Sequence, residues 1–135
     1  MADAATATPT EGAAAAALAF LTEMSPDLRG AAILDGDGGV LAASGEEPGA
    51  WAEAVRALLV AADAADPEPV EQIHVGSESG EVFALRHEGL AAVAVTERFA
   101  LASLMLFDLR QALRDLAIAR RDGASRSGGR DGGGV

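Results

Sequence analysis

The sequence has no cysteine, no lysine and no tyrosine, and its aromatic residues are Trp51 and four phenylalanines. Without cysteine there is no disulfide framework, no thiolate nucleophile and no cysteine-ligated zinc or iron–sulfur centre. The same lack fits a reducing compartment, and a cytoplasmic location is expected. Without lysine, Schiff-base chemistry is excluded. So few aromatics leave little on which nucleic-acid bases could stack. No apolar run approaches the roughly 20 residues of a membrane span. The stretch Met1–Thr10 has no basic residue, so it does not read as a secretory leader.

The chain has 135 residues, which points to one domain able to bury about two-thirds of its unfolded surface. The net charge is −11, and all ten basic residues are arginine. The charge is uneven. Residues 1–109 hold 18 acids against 4 arginines, and residues 110–135 hold 6 arginines against 3 acids. An acidic body repels phosphate backbones, so nucleic acid is excluded as a partner of the folded part.

Residues 1–8 are small and polar and are expected to be flexible. Thr8-Pro9-Thr10-Glu11 reads as a capped helix start, with Thr8 as cap and Pro9 at the first helical position. This helix is expected to reach Met24, before Ser25-Pro26-Asp27 ends it. The short apolar runs 30–34 and 40–43 flank Asp35-Gly-Asp-Gly-Gly39, a hairpin signature. A second helix is expected from Pro48 to about Asp66, with Trp51, Val55, Leu58, Leu59 and Ala62 on one face. Strands follow at 70–75, 81–87 and 90–95, separated by 76–80 and by Glu88-Gly89. The run 70–75 places Ile73 and Val75 on one face, Gln72 and His74 on the other. The runs 31–34 and 90–95 lack polar alternation and are expected at the sheet centre. Thr96 is expected to cap a last helix reaching Arg121, with Leu101, Leu104, Met105, Leu109, Ala112, Leu113 and Leu116 on its apolar stripe. Asp108, the polar residue within that apolar run, is expected to be exposed. From Asp122 onward the Gly/Ser/Arg composition predicts a disordered tail. The domain proper is thus 9–121. Its order is α-β-β-α-β-β-β-α, which predicts a three-layer α-β-α fold around a five-stranded, mostly antiparallel sheet.

Signatures of chemistry fail one by one. Asp35 and Asp37 resemble the start of a calcium loop, but such a loop needs glycine at its sixth position, where Val40 stands. The glycines of this stretch precede a strand, without the Gly-Lys-Ser/Thr of a phosphate-binding loop. His74 and His87 fall on different strands, and a metal site would need a third convergent ligand. Glu46 and Glu47 sit at a helix start, where the dipole explains them. No serine lies in a nucleophile elbow. No catalytic residue, metal or cofactor is expected.

Two stretches carry a resemblance. Leu18-Ala-Phe-Leu21, Leu28-Arg-Gly-Ala-Ala-Ile-Leu-Asp35 and Gly36-Asp-Gly-Gly-Val-Leu-Ala-Ala-Ser44 resemble the opening of the Roadblock/LC7 domain family. Leu101-Ala-Ser-Leu-Met-Leu-Phe-Asp-Leu-Arg110-Gln-Ala-Leu113 resembles its last helix. The resemblance spans about 12–121. It implies a profilin-like fold and a homodimer joined through an edge strand, Val70 to Val75, and a middle helix, Pro48 to Ala64. The implied interface comprises Trp51, Val55, Leu58, Leu59, Ala62, Val70, Gln72, Ile73, His74 and Val75. It further implies binding and regulation of a Ras-like small GTPase, as in bacterial MglB-like regulators, or a scaffolding role. A sensor kinase of the same system is a further implied partner. The edge-strand argument agrees, because 70–75 contains no proline and no lysine to guard it. The competing reading is a small-molecule sensor of PAS- or profilin-like shape, which calls for an apolar pocket with a few convergent polar groups.

Overall fold

The computed structural model describes the backbone of residues 9–45, 48–65, 67–68 and 70–133, and side chains within 11–45, 53–65, 67–68 and 70–123. The expected cap Thr8, the stretch 1–8, Glu46 and Glu47, and the side chain of Trp51 lie outside the described residues. The elements are α1 (Pro9–Met24), β1 (Leu28–Leu34), β2 (Val40–Ala43), α2 (Pro48–Ala65), β3 (Gln72–Ser77), β4 (Gly80–His87), β5 (Leu90–Thr96) and α3 (Ala102–Gly133). The strands form one sheet in the order β2-β1-β5-β4-β3, with every neighbouring pair antiparallel. The expected fold class and element order hold.

Side-chain alternation distributes the core between two faces. Ala31, Ile33, Phe83, Leu85, Ala92 and Ala94 face α1 and α3, while Ala32, Leu34, Ala84, Ala91 and Val93 face α2. Strands β1 and β5 are buried on both faces and lie at or beside the sheet centre, as their unbroken apolar runs require. Their pairs are mostly small, such as Ala31↔Ala94 and Ile33↔Ala92. Alanine on the sheet lets the bulk come from the helices: Leu109, Leu113 and Leu116 of α3 and Leu21 of α1 are wholly buried. On the other face α2 buries Val55 and Leu59.

The turns follow their residues. Asp35 accepts hydrogen bonds from the backbone N–H of Asp37 (2.9 Å) and Gly39 (2.8 Å), closing the β1–β2 loop as an Asx turn. Glu88 and Gly89, with φ of 49° and 76°, form the two-residue β4–β5 turn, where positive φ at both positions matches the strand twist.

Several expectations need correction. The strand expected at 70–75 runs from Gln72 to Ser77. Val70 is held outside it, its N–H donating to Asp63 Oδ1 (3.1 Å) and its carbonyl accepting from Arg86 (3.1 Å). Thr96 does not cap α3. It is paired to Leu28 and Glu81 as the last residue of β5, and the chain turns through 97–101 before the helix starts. The Arg29 guanidinium makes two bonds to Glu97 in that turn (2.7 and 2.8 Å). Asp108 is buried, at 4% exposure, whereas Leu101 and Leu104 of the expected stripe are exposed. The cause is the partner: α3 packs against α1 as well as the sheet, which rotates its buried face toward Asp108, close to Ser25 at the end of α1. The helical backbone of α3 runs to Gly133, beyond the end expected at Arg121. No proline intervenes in 122–133 to break the hydrogen-bond ladder.

Candidate interaction surface

Strand β3 is outermost in the sheet and pairs, among the described residues, with β4 alone. Its outer edge therefore presents backbone N–H and C=O groups of the kind that template pairing with another strand. The alternation read from the sequence holds. Ile73 and Val75 face the α2 side, across from Ala84 and Val82. Helix α2 lies nearest β1 and β2, so it does not roof this end of the sheet. Ile73 and Val82 are consequently half-buried, and Val75 is exposed at 46%. The result is an apolar strip running off the covered core to the open edge.

The ten residues of the expected interface fall into distinct settings. Val55 and Leu59 are buried under the sheet; Leu58 and Ala62 are half-buried on the flank of α2. Gln72, His74 and Val75 are exposed along β3, and Val70 sits just before it. Trp51 lies in the first turns of α2.

On the other face of β3, His74 stacks on its cross-strand neighbour Phe83 with ring centroids 4.3 Å apart and planes 13° from parallel. Its Nε2 lies 2.5 Å from Glu81 Oε1. The other Glu81 oxygen accepts from the Ala100 N–H at 2.9 Å. The imidazole, followed by the backbone N–H groups of Phe99 and Ala100, holds the Glu81 carboxyl below its ordinary pKa, against partial burial that pushes the other way. Glu81 thereby ties the edge strand to the turn before α3. That turn stores strain, since Phe99 has φ 68° and is 81% exposed.

A cleft of about 560 Å³ opens between α2, the 35–38 turn and the β4–β5 turn. Its lining holds two charged pairs together with Asp35, Asp37 and Glu71. Arg86 bridges Asp63 at 2.6 Å, and His87 lies 3.1 Å from Glu88. Arg86, then the Val70 N–H, lowers the Asp63 pKa. Arg56 pairs with Glu53 on its own helix. Its Nε is buried without a partner. Neither this cleft nor any other group of described residues assembles three or more His, Asp or Glu side chains that could hold a metal ion, and His74 and His87 do not converge. No helix among the described residues is long and apolar enough to cross a membrane.

The sequence reading missed Val60, Val82, Glu81 and the Asp63–Arg86 pair. Val60 carried a usable signal, as an apolar residue off the α2 stripe. Glu81 and Arg86 carried none, because their partners are set by strand register.

No family model matches this sequence, and no curated protein does. Solved structures do. A Roadblock/LC7 domain from Streptomyces avermitilis superposes with a TM-score of 0.66 at 20% identity, covering 75% of this chain and 92% of that one. The gliding protein MglB from Thermus thermophilus gives 0.70 at 18% identity, covering 84% and 92%. A structure of MglB with tetrameric arrangement gives 0.71 at 20% identity, covering 85% and 92%. The likeness extends over nearly the whole length of those chains, and with its three helices and five antiparallel strands the protein has the Roadblock/LC7 fold of the MglB kind.

Proposed function

We propose that the protein is a non-enzymatic, cytoplasmic interaction module that dimerises through β3 and α2 and, as a dimer, binds and regulates a Ras-like small GTPase or scaffolds a signalling complex. The observation that carries the first half is the open edge of β3 with Ile73, Val75 and Val82 incompletely covered beside it. A two-fold copy satisfies both needs at once. Antiparallel pairing of β3 with itself continues the sheet, and the second α2 roofs the apolar strip. In this arrangement Gln72, Ile73, His74 and Val75 line the strand seam, with Val70 at its approach. Leu58, Ala62 and the exposed Val60 flank the helix seam, together with Trp51. Val55 and Leu59 serve their own sheet and support the interface from beneath.

The GTPase half of the proposal rests on fold likeness to MglB. Self-association draws support from the MglB structure with tetrameric arrangement. A sensor kinase of the same system is a further proposed partner, and residues 122–135 are proposed as a tail outside the domain of 9–121. The alternative reading, a small-molecule sensor, would use the cleft beside α2, in which Arg86 pairs with Asp63 and His87 with Glu88. The test is a titration of the purified protein against the Ras-like GTPases encoded near it, loaded with GDP or a GTP analogue. The proposal expects saturable binding to at least one, in one nucleotide state over the other. A stable dimer that binds none in either state overturns the GTPase half and leaves the dimer standing.

A further inference from the structure

The hydrogen-bonding direction of each β3 residue is set by its pairing with β4. The Arg86 N–H donates to the Glu71 carbonyl at 2.8 Å, and the β3–β4 register runs unbroken from Gln72↔Leu85 to Ser77↔Gly80. Backbone groups alternate along an antiparallel strand. Those of Ile73, Val75 and Ser77 therefore turn to β4, and those of Gln72, His74 and Gly76 turn to the open edge. Side chains alternate in step. Ile73 packs on the α2 side, and Val75 shares that face. Gln72 lies with His74 on the opposite face, where His74 stacks on Phe83. A Cβ at Gly76 would point the same way and meet no atom within 4 Å.

We propose that β3 pairs with β3 of a second copy in one register, with His74 of both copies on the two-fold axis, Gln72 opposite Gly76 and Ile73 opposite Val75. It rests on the edge-paired dimer proposed above and fixes which residues meet there. Antiparallel strands bond through residues whose backbone groups face the seam, so Gln72, His74 and Gly76 must pair among themselves. The axis then falls on a residue and not between two. On His74, it brings all three outward residues of each strand into hydrogen-bonded pairs. On Val75, it sets Gln72 opposite Glu78 of the β3–β4 turn. On Ile73, it sets Gly76 opposite Val70, which Asp63 and Arg86 hold outside the strand. The side chains agree. On the α2 side, Ile73 against Val75 joins the two apolar strips into one, whereas an axis on Val75 turns Ile73 against Ser77. On the other face, the open space at Gly76 receives Gln72 of the second copy, and the row across the seam reads Phe83, His74, His74, Phe83. The strand complements itself under a two-fold, large opposite small and isoleucine opposite valine, which is why a second copy is the occupant.

The chain has no cysteine, so a single introduced thiol reports on its own position. His74→Cys and Val75→Cys, both at exposed positions of β3, are oxidised with copper phenanthroline, and formation of covalent dimer is timed. On the axis the two Cα atoms stand about 5.5 Å apart, within disulfide reach; one residue off it they stand about 8 Å apart, beyond that reach. His74→Cys is expected to cross-link about tenfold faster than Val75→Cys, because the dimer holds its two thiols together. Amide exchange of the wild-type dimer checks the register without a substitution. The N–H groups of Gln72, His74 and Gly76 are all expected to be protected, and to lose that protection on dilution to single chains. Val75→Cys cross-linking as fast as His74→Cys, or an unprotected Gln72 or Gly76 amide beside a protected His74, overturns the register and leaves the edge-paired dimer in place. Failure of edge pairing itself looks different and overturns both: neither variant cross-links, and none of the three amides is protected.

Discussion

Among the described residues four carboxyl groups leave their ordinary titration range, and they do not move together. Asp63, Glu81 and Glu97 are pushed down by Arg86, His74 and Arg29, while Asp108 is pushed up by burial, only partly offset by Ser25. The signs give opposite pH effects. A depressed carboxyl stabilises the fold above its unfolded pKa and loses that contribution as pH falls through the folded value; a raised one costs stability as pH rises through the interval above its unfolded value. Glu81→Gln is therefore expected to flatten the acid limb of a plot of Tm against pH, and an unchanged limb contradicts the role given to His74. Asp108→Asn is expected to raise Tm at neutral pH by a few degrees, the size of an approximately 1 kcal/mol gain. The gain should vanish below the ordinary carboxylate range. A lower Tm at neutral pH would mean that the Ser25 contact outweighs the desolvation cost. Gly80 offers a steric test. A Cβ there would collide with the Thr96 carbonyl oxygen, so Gly80→Ala is expected to lower Tm, measured by thermal unfolding.

At the scale of elements, much was legible in the sequence. The start at Pro9, the 35–39 hairpin and the central place of β1 and β5 follow from local chemistry: a helix-initiating proline, turn residues and unbroken apolar runs. What failed needed knowledge of neighbours. Thr96 looks like a cap until β5 register claims it, and Asp108 looks exposed until α1 is placed against α3. The β3 boundary slipped by two residues because Asp63 and Arg86, distant in sequence, fix Val70. Two predictions belong here. Leu59→Ala removes the larger of the two buried α2 anchors and is expected to cost about 2–4 kcal/mol in chemical denaturation, since the cavity faces a sheet that cannot collapse. Asp63→Ala is expected to speed amide hydrogen exchange at Val70, with β5 unaffected. Uniform acceleration across the sheet would instead indicate global destabilisation.

The two edges of the sheet differ in cover: β2 packs against both α1 and α2, whereas beside β3 Val75 is exposed and Ile73 and Val82 are half-buried. The sequence revealed that edge through its alternation and lack of guards. It did not reveal that α2 sits off-centre toward β1 and β2, which is what leaves room for a second helix. Ile73 is half-buried on this side, so a charge there meets the proposed seam. The most direct measurement is sedimentation equilibrium of the wild-type chain and of Ile73→Asp across micromolar concentrations, with circular dichroism to establish that the variant folds. The account predicts twice the chain mass or a multiple of it for wild type, and removal of the edge-paired species in the folded variant. A wild-type protein at single-chain mass throughout, or a folded Ile73→Asp protein with undiminished association, would contradict it.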